Sequence, residues 1–352
     1  MNWMFRDLML KDIFALQEKG PHTFIDVRSP KEFNEATIPG SINIPVFDDE
    51  ERAEIGTIYK QVGQEVAKER GLEIFAKKLP AFIRAFKKIE SPMTVFCWRG
   101  GMRSKTAATV LDLMGIHTTR LNGGVRSYRQ WVVQELEKED FSPSFIVLNG
   151  YTGTGKTVIL KRLADSGYPV IDFENIAGHR GSIFGQIGLE PSNQKKFDSL
   201  LIHELERFKT EPHVFIEGES RRIGKVSLPQ FIYEKKENGM QIVIHLPLAE
   251  RVKIVLADYE PWNYPERFIE AFQLIEKRLH TPISNLIETY LENGEFGLAV
   301  ELLLEHYYDP RYRHSGDQNT ELQKVDIEAE NVEDAFQKVL QTIERMKTPS
   351  LS

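Results

Sequence analysis

The sequence predicts an α/β protein of two domains, each built on a parallel sheet, with a helical region at the C-terminal end. The 352 residues correspond to about two domains of roughly 150 residues each. Short β-rich runs alternate with helical patterns in both halves of the chain, as parallel sheets with crossover helices require. A charged helix end runs into Ser142-Pro143. We therefore predict domains at residues 1–140 and 141–352.

The first half has the order strand, helix, strand that is typical of a parallel sheet. Its predicted extended segments are residues 22–27, 38–45 and 93–97, the second of which includes a Pro-Gly turn. Its predicted helical segments are residues 30–36, 64–87 and 103–114.

The second half begins with a continuous apolar run at residues 144–150, followed by a glycine-rich turn and a predicted helix over residues 156–164. Further strands are predicted at residues 169–173, 213–218 and 241–247. The segments between them are long enough for crossover helices. From Ala249 onward the apolar residues recur with helical spacing, so we predict a mostly helical C-terminal part.

Composition excludes several classes of protein. Apolar residues make up 41% and charged residues 28% of the chain, which is unlike collagen, low-complexity or disordered sequences. The single cysteine, Cys97, cannot form an intramolecular disulfide framework or a cysteine-based zinc cluster. The N-terminal residues lack the layout of a signal peptide, and no apolar stretch reaches the ~20 residues of a spanning helix. We therefore expect a cytoplasmic protein without a membrane partner.

Residues 150–157 contain a phosphate-binding motif. They read Gly-Tyr-Thr-Gly-Thr-Gly-Lys-Thr and match G-x-x-x-x-G-K-[ST] between an apolar strand and a helix, a context that disfavours a turn without a ligand. The residues predicted to bind the ligand are Gly150, Gly153, Thr154, Gly155, Lys156 and Thr157. Lys156 would reach the terminal phosphates, and Thr157 would bind Mg²⁺. The motif indicates a polyphosphate and leaves open whether it is a nucleotide.

A carboxylate that helps to hold Mg²⁺ is expected at the end of a neighbouring strand. Glu217, after the apolar run HVFI, is the first candidate, and Asp172, after PVI, is the second. We predict a metal site that includes Thr157 and Glu217. The alternative for both acids is an ordinary strand-end carboxylate that faces solvent.

Cys97 ends a predicted strand and begins the stretch Cys-Trp-Arg-Gly-Gly-Met-Arg-Ser, which precedes a helix. A helix N-terminus and the nearby side chains of Arg99 and Arg103 stabilise a thiolate, which is a nucleophile. The alternative is a buried cysteine that acts as a small apolar residue, but a core position has no use for two arginines and two glycines. We predict that Cys97, Arg99 and Arg103 are catalytic.

The region around Cys97 resembles a rhodanese domain. The resemblance covers residues 25–45, 95–104 and 123–129, with Asp26, Arg28, Glu32 and the Ile38-Pro39-Gly40 turn in the first segment. Rhodaneses carry sulfur or selenium on one cysteine, which implies such a role for Cys97. Five residues separate Cys97 from Arg103, whereas the common rhodanese loop has four. The longer loop is similar to that of rhodanese-like phosphatases, so it could surround a tetrahedral oxyanion, and a phosphatase stays open.

A rhodanese-like parallel-sheet domain followed by a P-loop NTPase-like α/β domain with a helical C-terminal part resembles one family, the bacterial tRNA 2-selenouridine synthases. Further matching segments are residues 50–63, 179–185, 221–225 and 306–312. Arg221 departs from the family pattern, which favours a small residue at that position.

The resemblance implies an enzyme that replaces sulfur by selenium in 2-thiouridine at the wobble position of tRNA, with selenophosphate as the selenium donor. It also implies geranylation of the thiouridine sulfur from geranyl diphosphate, whose diphosphate would bind to the P-loop. Cys97 would attack selenophosphate or receive selenium from it, and an enzyme that supplies selenophosphate is a possible partner. The apolar residues of the helical C-terminal third could line a pocket for the geranyl chain.

Contacts with phosphate or tRNA are predicted at basic segments. His179 and Arg180 follow a predicted strand closely enough to lie over the P-loop. Two further segments combine charge with aromatic residues and could contact RNA: Arg221, Arg222 and Lys225, and Arg311, Tyr312, Arg313 and His314. The alternative is a solvated surface, and the net charge of −7 does not decide between the two.

Two other functions stay open from the sequence. An ATP-dependent kinase or NTPase could use the P-loop while the rhodanese-like domain supplies activated sulfur. A non-catalytic regulator could use the Cys97 loop to sense oxyanions or partners. Nucleotide hydrolysis that depends on Lys156 would favour the first, and full biological activity of a Cys97→Ser protein would favour the second.

Overall fold

The structure, a computed structural model, describes residues 5–311 and 324–347. Tyr312, Arg313 and His314 therefore lie outside the described residues. The chain divides into two compact units, an N-terminal unit of Met1–Lys138 with Asp198–Ile202 and a C-terminal unit of Glu139–Phe197 with His203–Ser352. No described helix is both long and apolar enough to cross a lipid bilayer.

The N-terminal unit is built on a parallel sheet, as predicted, and this sheet has five strands. Its strands are β1 (Arg6–Leu8), β2 (Thr23–Asp26), β3 (Ile42–Asn43), β4 (Met93–Phe96) and β5 (Thr119–Leu121). Their spatial order is β1-β5-β4-β2-β3, and each adjacent pair is parallel. Its helices are α1 (Leu10–Gln17), α2 (Pro30–Glu35), α3 (Asp49–Gln61), α4 (Gln64–Phe86), α5 (Met102–Leu113) and α6 (Gly124–Glu137).

Helix α3 is an element that the sequence pattern does not predict. It buries no side chain completely, so it lacks the apolar periodicity from which a helix is recognised. A capping box sets its start instead. The Asp48 carboxylate accepts a hydrogen bond from the N–H of Glu51 at 2.9 Å, and the Glu51 carboxylate accepts one from the N–H of Asp48 at 2.9 Å.

The core of the N-terminal unit lies between the sheet and helices α4 and α5. It includes Ile25, Val27, Phe75, Phe86, Val95 and Leu111. Cys97 belongs to the same buried cluster. The sulfur is therefore held at the carboxyl edge of the sheet by a packed interior.

The C-terminal unit contains a four-stranded parallel sheet and a short hairpin. Its strands are β6 (Ser144–Gly150), β7 (His213–Glu217), β8 (Arg222–Ile223), β9 (Val226–Ser227), β10 (Met240–His245) and β11 (Lys324–Glu328). The sheet order is β11-β10-β6-β7, with parallel pairs throughout. Strands β8 and β9 form an antiparallel pair.

The helices of the C-terminal unit cover the sheet and form most of the later sequence. They are α7 (Lys156–Asp165), α8 (Phe173–Ala177), α9 (Gln194–Phe208), α10 (Gln230–Glu237), α11 (Leu248–Tyr259), α12 (Pro265–Gln273), α13 (Thr281–Glu292), α14 (Phe296–Leu303) and α15 (Val332–Lys347). Shorter helical segments are Pro261–Asn263, Glu276–Arg278 and the π-helical Leu304–Tyr308. The predicted fold class, two parallel α/β domains with a largely helical C-terminal part, is confirmed.

Two predicted segments of the C-terminal unit differ in the structure, and the hairpin β8–β9 was not predicted. The strand predicted at residues 169–173 is wrong, because only Val170 pairs with the sheet, opposite Phe215. Asp172 instead caps helix α8, where its carboxylate accepts a hydrogen bond from the N–H of Asn175 at 2.9 Å. Strand β11 interrupts the predicted helical region, and its charged, mostly exposed sequence KVDIE is the reason that an edge strand is hard to recognise there.

Candidate active sites in the two units

The Cys97 loop joins β4 to α5 at the carboxyl edge of the N-terminal sheet. Cys97 is 3% exposed, and its Sγ lies 3.2 Å from the Oγ of Ser104. Within the described residues, no backbone N–H of residues 98–103 donates a hydrogen bond to a protein acceptor. These N–H groups and the N-terminus of α5 can therefore hold an oxyanion beside the sulfur.

The start of helix α6 fixes the shape of this loop. The N–H of Val125 donates to the carbonyl of Cys97 at 2.9 Å, and the N–H of Arg126 donates to the carbonyl of Trp98 at 2.9 Å. Gly124 has a φ of +59°, and a Cβ at this position would overlap the carbonyl oxygen of Cys97. Both the backbone conformation and the lack of space therefore require glycine at position 124.

The two arginines predicted to be catalytic have different surroundings. The guanidinium of Arg103 donates to both carboxylate oxygens of Glu32, at 2.5 and 3.1 Å. Burial acts to raise the pKa of Glu32, but Arg103, Ser29 and Arg52 hold that pKa below its usual value. Glu32 thus keeps Arg103 oriented next to the loop. Arg99 is exposed and has no ion-pair partner within residues 5–311 and 324–347, so it is available to a substrate.

Ser104 is a site residue that is absent from the predicted catalytic set. Its hydroxyl is fully buried, contacts the sulfur of Cys97, and lies 3.3 Å from the carbonyl oxygen of Gly101. This hydroxyl can donate a hydrogen bond to a thiolate. The signal in the sequence was its position directly after Arg103, one helical turn beyond the loop.

The P-loop joins β6 to α7 and has the backbone that its motif predicts. Gly150, Gly153 and Gly155 have φ values of +147°, +81° and +75°, in the region that favours glycine. A Cβ at Gly153 would stand 2.8 Å from the carbonyl oxygen of Arg251. Space as well as conformation therefore selects glycine in this loop.

The P-loop offers hydrogen-bond donors that are suited to bind an anion. Within the described residues, the backbone N–H groups of residues 152, 153 and 155–157 donate to no protein acceptor. The Nζ of Lys156 donates to the carbonyl oxygens of Gly150 and Tyr151, at 3.1 and 3.3 Å. The Thr154 side chain is fully buried, and its hydroxyl donates to the Tyr151 carbonyl at 2.9 Å. Thr154 thus stabilises the loop conformation, whereas the backbone N–H groups of residues 152, 153 and 155–157 remain for a ligand.

Glu217 stands beside the P-loop at the end of β7. The hydroxyl of Thr157 donates to the Oε1 of Glu217 at 2.7 Å. Glu217 is 2% exposed, and its buried Oε2 has no hydrogen-bond partner. Glu174 and Glu219 each bring a carboxylate oxygen to this point, so that the three oxygens lie within 4.8 Å of one another. The second candidate, Asp172, is not a member of this cluster.

Burial and mutual repulsion raise the pKa values of all three carboxyl groups. Burial raises the pKa of Glu217 to about 7, although Lys156 acts in the opposite direction. Burial, followed by the charges of Glu217 and Glu219, raises the pKa of Glu174 to about 10. Burial also raises the pKa of Glu219. A divalent cation would replace these protons, and three carboxylates with one hydroxyl are oxygen donors that suit Mg²⁺.

The segment predicted to cover the P-loop lies against this cluster. A Cβ at Gly181 would overlap the Oε2 of Glu219 and stand 2.9 Å from the Oε1 of Glu174. His179 packs on the hairpin β8–β9, where a Cβ at Gly224 would stand 2.5 Å from its Cδ2. Burial lowers the pKa of His179, which favours the neutral imidazole at neutral pH.

Arg180 is held by protein partners. Its guanidinium donates to the carboxylate of Asp258 at 3.1 Å and to the carbonyl oxygens of Ile187 and Asp258, both at 2.9 Å. It also lies 4.8 Å from the ring centroid of Tyr259. These contacts fasten the segment to helix α11, so Arg180 has a structural task whether or not it contacts phosphate.

Arg251 is a second residue that is absent from the predicted site. It is buried, its Nε donates to the carbonyl of Thr152 at 2.9 Å, and its other nitrogens bond both carboxylate oxygens of Asp309 at 2.9 and 2.6 Å. This ion pair braces the P-loop from the helical region. The signal in the sequence was the position of Asp309 within the matching segment 306–312.

Among the basic residues predicted to contact RNA, those in the described part of the chain lie on the surface. Arg221, Arg222 and Lys225 are exposed on the hairpin β8–β9. Arg311 donates to the carbonyl of Tyr307 at 2.8 Å and lies over the ring of Tyr307 at 3.5 Å from its centroid. Their contact with RNA stays a prediction.

Two family models match the chain. Residues 10–130 match the Rhodanese-like domain, and residues 143–292 match the tRNA 2-selenouridine synthase AAA domain. The fold and the two loops accordingly define a protein in which a rhodanese-like domain precedes a P-loop domain.

Relatives of similar length extend this comparison. A tRNA 2-selenouridine synthase of Aeromonas salmonicida (strain A449) is 32% identical over 322 residues, which cover 82% of this chain and 85% of the relative. That of Nitrosomonas europaea is 35% identical over 338 residues, covering 82% and 87%. The chain belongs to the tRNA 2-selenouridine synthase family. A solved N-terminal domain of a putative ATP/GTP binding protein from Clostridium difficile 630 is 30% identical, covers 36% of this chain and 98% of that chain, and has a TM-score of 0.34.

Proposed function

We propose that this chain is a cytoplasmic tRNA 2-selenouridine synthase that replaces sulfur by selenium in the wobble 2-thiouridine of tRNA. In this proposal geranyl diphosphate first alkylates the sulfur, and selenium from selenophosphate then displaces the geranylated sulfur. The observation that carries it is the presence of two separate oxyanion-binding loops, one with a nucleophilic sulfur and one with a carboxylate cluster, in a chain of this family.

The P-loop would bind the diphosphate of geranyl diphosphate. Free N–H groups in the loop and the ammonium of Lys156 offer donors for its oxygens. As the sulfur of thiouridine attacks the first carbon of the chain, the C–O bond breaks and negative charge develops on the departing diphosphate. Donors that are already in place stabilise this charge without reorganisation.

Glu174, Glu217 and Glu219 would hold Mg²⁺ together with Thr157. The buried Oε2 of Glu217 without a partner supports this assignment, since a buried carboxylate oxygen normally has a partner. Bound Mg²⁺ would supply positive charge to the diphosphate. Lys156 and the loop N–H groups would orient the leaving group.

The Cys97 loop would bind selenophosphate through its phosphate oxygens. Selenium in this donor already has the oxidation level of selenide, so a transfer of neutral selenium to sulfur would need an oxidant. Attack of the Cys97 thiolate on phosphorus needs none. It forms an S–P bond and breaks the P–Se bond, and selenide leaves with the electron pair. The free N–H groups of residues 98–103 support a loop that surrounds phosphorus.

Selenide released at this point would attack C2 of the S-geranylated uridine. The C–Se bond forms, and the C–S bond breaks with release of geranylthiolate, a better leaving group than the sulfur of an unmodified thiouridine. Water then cleaves the S–P bond, which returns the Cys97 thiolate and inorganic phosphate. No atom changes its oxidation state. A partner enzyme would supply the selenophosphate.

An ATP-dependent kinase or NTPase is the second candidate function. The hydrogen bond between Thr157 and Glu217 favours it, because nucleotide-hydrolysing P-loop proteins use a hydroxyl and a strand-end acid to hold Mg²⁺. Nucleotide turnover that depends on Lys156 and is indifferent to geranyl diphosphate would support this candidate over geranylation.

Nucleoside analysis of tRNA by mass spectrometry tests the proposal. Cells that lack the native protein and carry Cys97→Ser should contain S-geranylated thiouridine and no selenouridine. Cells with Lys156→Ala should contain neither product, because the uridine sulfur is not alkylated. Lys161→Ala, an exposed lysine on the same helix α7, is the matched control and should make both products. Unchanged selenouridine in the Cys97 and Lys156 variants would refute the proposed function.

A further inference from the structure

A large apolar cavity lies in the N-terminal unit, next to the Cys97 loop. Its volume is about 740 Å³, within the range of small-molecule sites. It opens between helices α3 and α4 and the first turns of α5. Its apolar wall includes Val46, Phe47, Ile55, Leu72, Phe75 and Met102. Several of these residues remain partly exposed, and Leu72 is 67% exposed, so the cavity is open to a ligand.

The rim of the cavity is cationic. Arg52, Lys60, Lys68 and Arg103 line it, and no acidic residue is among its lining residues in the described part of the chain. Just outside the lining, Glu32 pairs with Arg52 and Arg103, and Glu65 pairs with Lys68, so the positive charge at the rim is partly compensated. An apolar interior with a cationic rim complements an apolar chain that is attached to a polyanion. A free hydrocarbon would gain nothing from these charges.

Its position relates the cavity to the chemistry at Cys97. Met102 and Arg103, which line it, stand at the start of helix α5, directly after the loop that begins at Cys97. Arg103 is also the residue that Glu32 orients beside the loop. A chain that filled the cavity would place its polar end near this loop.

We infer that this cavity binds the geranyl chain of S-geranyl-2-thiouridine in tRNA while selenium displaces the sulfur. The inference rests on the proposed function and deepens it, because it assigns a subsite for the alkylated nucleoside to the N-terminal unit. The chain lies against the apolar wall, the phosphates of the anticodon loop lie near the cationic rim, and C2 of the uridine lies at the Cys97 loop. Because burial of the geranyl chain in the cavity favours binding, the N-terminal unit would bind the geranylated nucleoside more tightly than 2-thiouridine.

The C-terminal helices offer less space for such a chain. A cavity among them, lined by Phe184, Tyr259, Phe268 and other apolar residues beside Thr152, has a volume of about 30 Å³, which is close to that of one water molecule. The apolar residues of this region largely fill their own core. The sequence-based idea of a geranyl pocket in the helical C-terminal third therefore has weaker support than the cavity between α3 and α4.

Binding of two synthetic anticodon stem-loops to the full chain tests the inference. One stem-loop carries S-geranyl-2-thiouridine, and the other carries 2-thiouridine at the same position. Fluorescence anisotropy should give at least a ~10-fold tighter dissociation constant for the geranylated stem-loop, as burial of several methylene groups predicts. Leu72→Asp places a charge in the cavity wall and should abolish this preference.

Val66→Asp is the matched control. Val66 lies on the same helix α4, is 46% exposed, and is not a lining residue, so this variant should keep the preference. The inference is overturned if wild type binds both stem-loops equally, if Leu72→Asp keeps the preference, or if both variants lose it. It is also overturned if Leu72→Asp only converts a dimer to a monomer in sedimentation analysis, since the cavity would then contact a second copy of the chain.

This experiment separates the inference from the proposed function. The stem-loop is supplied already geranylated, so the preference does not depend on the P-loop reaction. A preference in this assay with no geranylated nucleoside in cells would refute the proposed function and keep the cavity. If wild type shows no preference for the geranylated stem-loop while Cys97→Ser and Lys156→Ala give the expected nucleosides in cells, the cavity assignment is refuted and the proposed function is kept.

Discussion

The Cys97 loop and the P-loop share a local design, but their surroundings differ. Both are glycine-containing connections from a parallel strand to a helix, with backbone N–H groups left for an anion. Around the P-loop lie the carboxylates of Glu174, Glu217 and Glu219, of which that of Glu217 is buried, and a filled apolar core. Around the Cys97 loop lie Arg99 and Arg103, and an open apolar cavity of about 740 Å³.

This difference indicates a division of labour between the loops. Carboxylates with raised pKa values can bind a divalent cation, which assists departure of a diphosphate. A sulfur among cationic and N–H donors can attack a phosphorus centre, and an adjacent apolar cavity can accept a hydrocarbon chain. Under the proposed function, the same backbone geometry would serve two reactions because the side chains around it differ.

The largest effect is expected from Glu217→Gln, which removes one carboxylate from the proposed cation site. Geranylation of a thiouridine stem-loop should fall ~10²-fold or more, and binding of geranylated stem-loop should be unchanged. Thermal denaturation with and without Mg²⁺ gives a second measurement. Mg²⁺ should stabilise wild type more at pH 8 than at pH 6, since protons compete for carboxylates whose pKa values are raised.

The sign of the metal-free pH dependence follows from the same shift. Glu217 keeps its proton up to a pKa of about 7 when folded, against an ordinary value of 4.5. Its contribution to stability is present below pH 4.5 and is lost as the pH rises through about 7. The melting temperature of the metal-free wild type should therefore fall between about pH 4.5 and pH 7, and Glu217→Gln should make this fall smaller. An equal fall in the variant, or Mg²⁺ stabilisation that is the same in both proteins, would argue against the cation site.

Gly124→Ala should have the next largest effect and should act only on the Cys97 loop. The new Cβ would overlap the carbonyl oxygen of Cys97, so we expect the free energy of unfolding to decrease by about 3 kcal/mol and selenation to fall more than geranylation. Gly115→Ala is the control, because Gly115 has a similar φ of +73° but nothing within 4 Å of its Cβ position, and should cost about 1 kcal/mol. Urea denaturation measures the free energy of unfolding of both variants. Equal losses would contradict a steric overlap between a Cβ at position 124 and the carbonyl oxygen of Cys97.

The smallest expected effect is that of Ser104→Ala. Loss of a hydroxyl 3.2 Å from the sulfur of Cys97 should slow breakdown of the S–P bond, so that selenation falls by about tenfold and a phosphoryl group accumulates on the protein. Intact-mass analysis after a rapid quench with selenophosphate detects this adduct, and Ser104→Thr should restore turnover. A selenium adduct on Cys97, in place of the phosphoryl group, would contradict attack on phosphorus.

The sequence and the structure agree best where short-range chemistry determines the conformation. The P-loop motif predicts the positive φ values of Gly150, Gly153 and Gly155, because successive N–H groups can converge only on such a backbone. Strands β6 and β7 are predicted by apolar runs, since strands of a covered parallel sheet are buried on both faces. The rhodanese resemblance is confirmed by the family model over residues 10–130.

The prediction is weakest where a segment depends on distant partners. Helix α3 buries none of its residues completely, and β11 is a charged edge strand whose partner, β10, is distant in sequence. Asp172 lies in an apolar context that favours a strand but caps a helix instead. In each case local pattern is outweighed by a capping interaction or by pairing across the sheet.

By itself, the sequence determined the glycine-rich P-loop, the position of Cys97 at the end of a strand, and the family, because each is encoded in a contiguous stretch of residues. Only the tertiary structure decided which side chains surround those loops. Glu174 and Glu219 join Glu217, Arg251 reaches the P-loop from α11, and helices α3 and α4 leave a cavity beside Cys97. Such groupings depend on how separate elements pack in space, and distance along the chain carries no record of it.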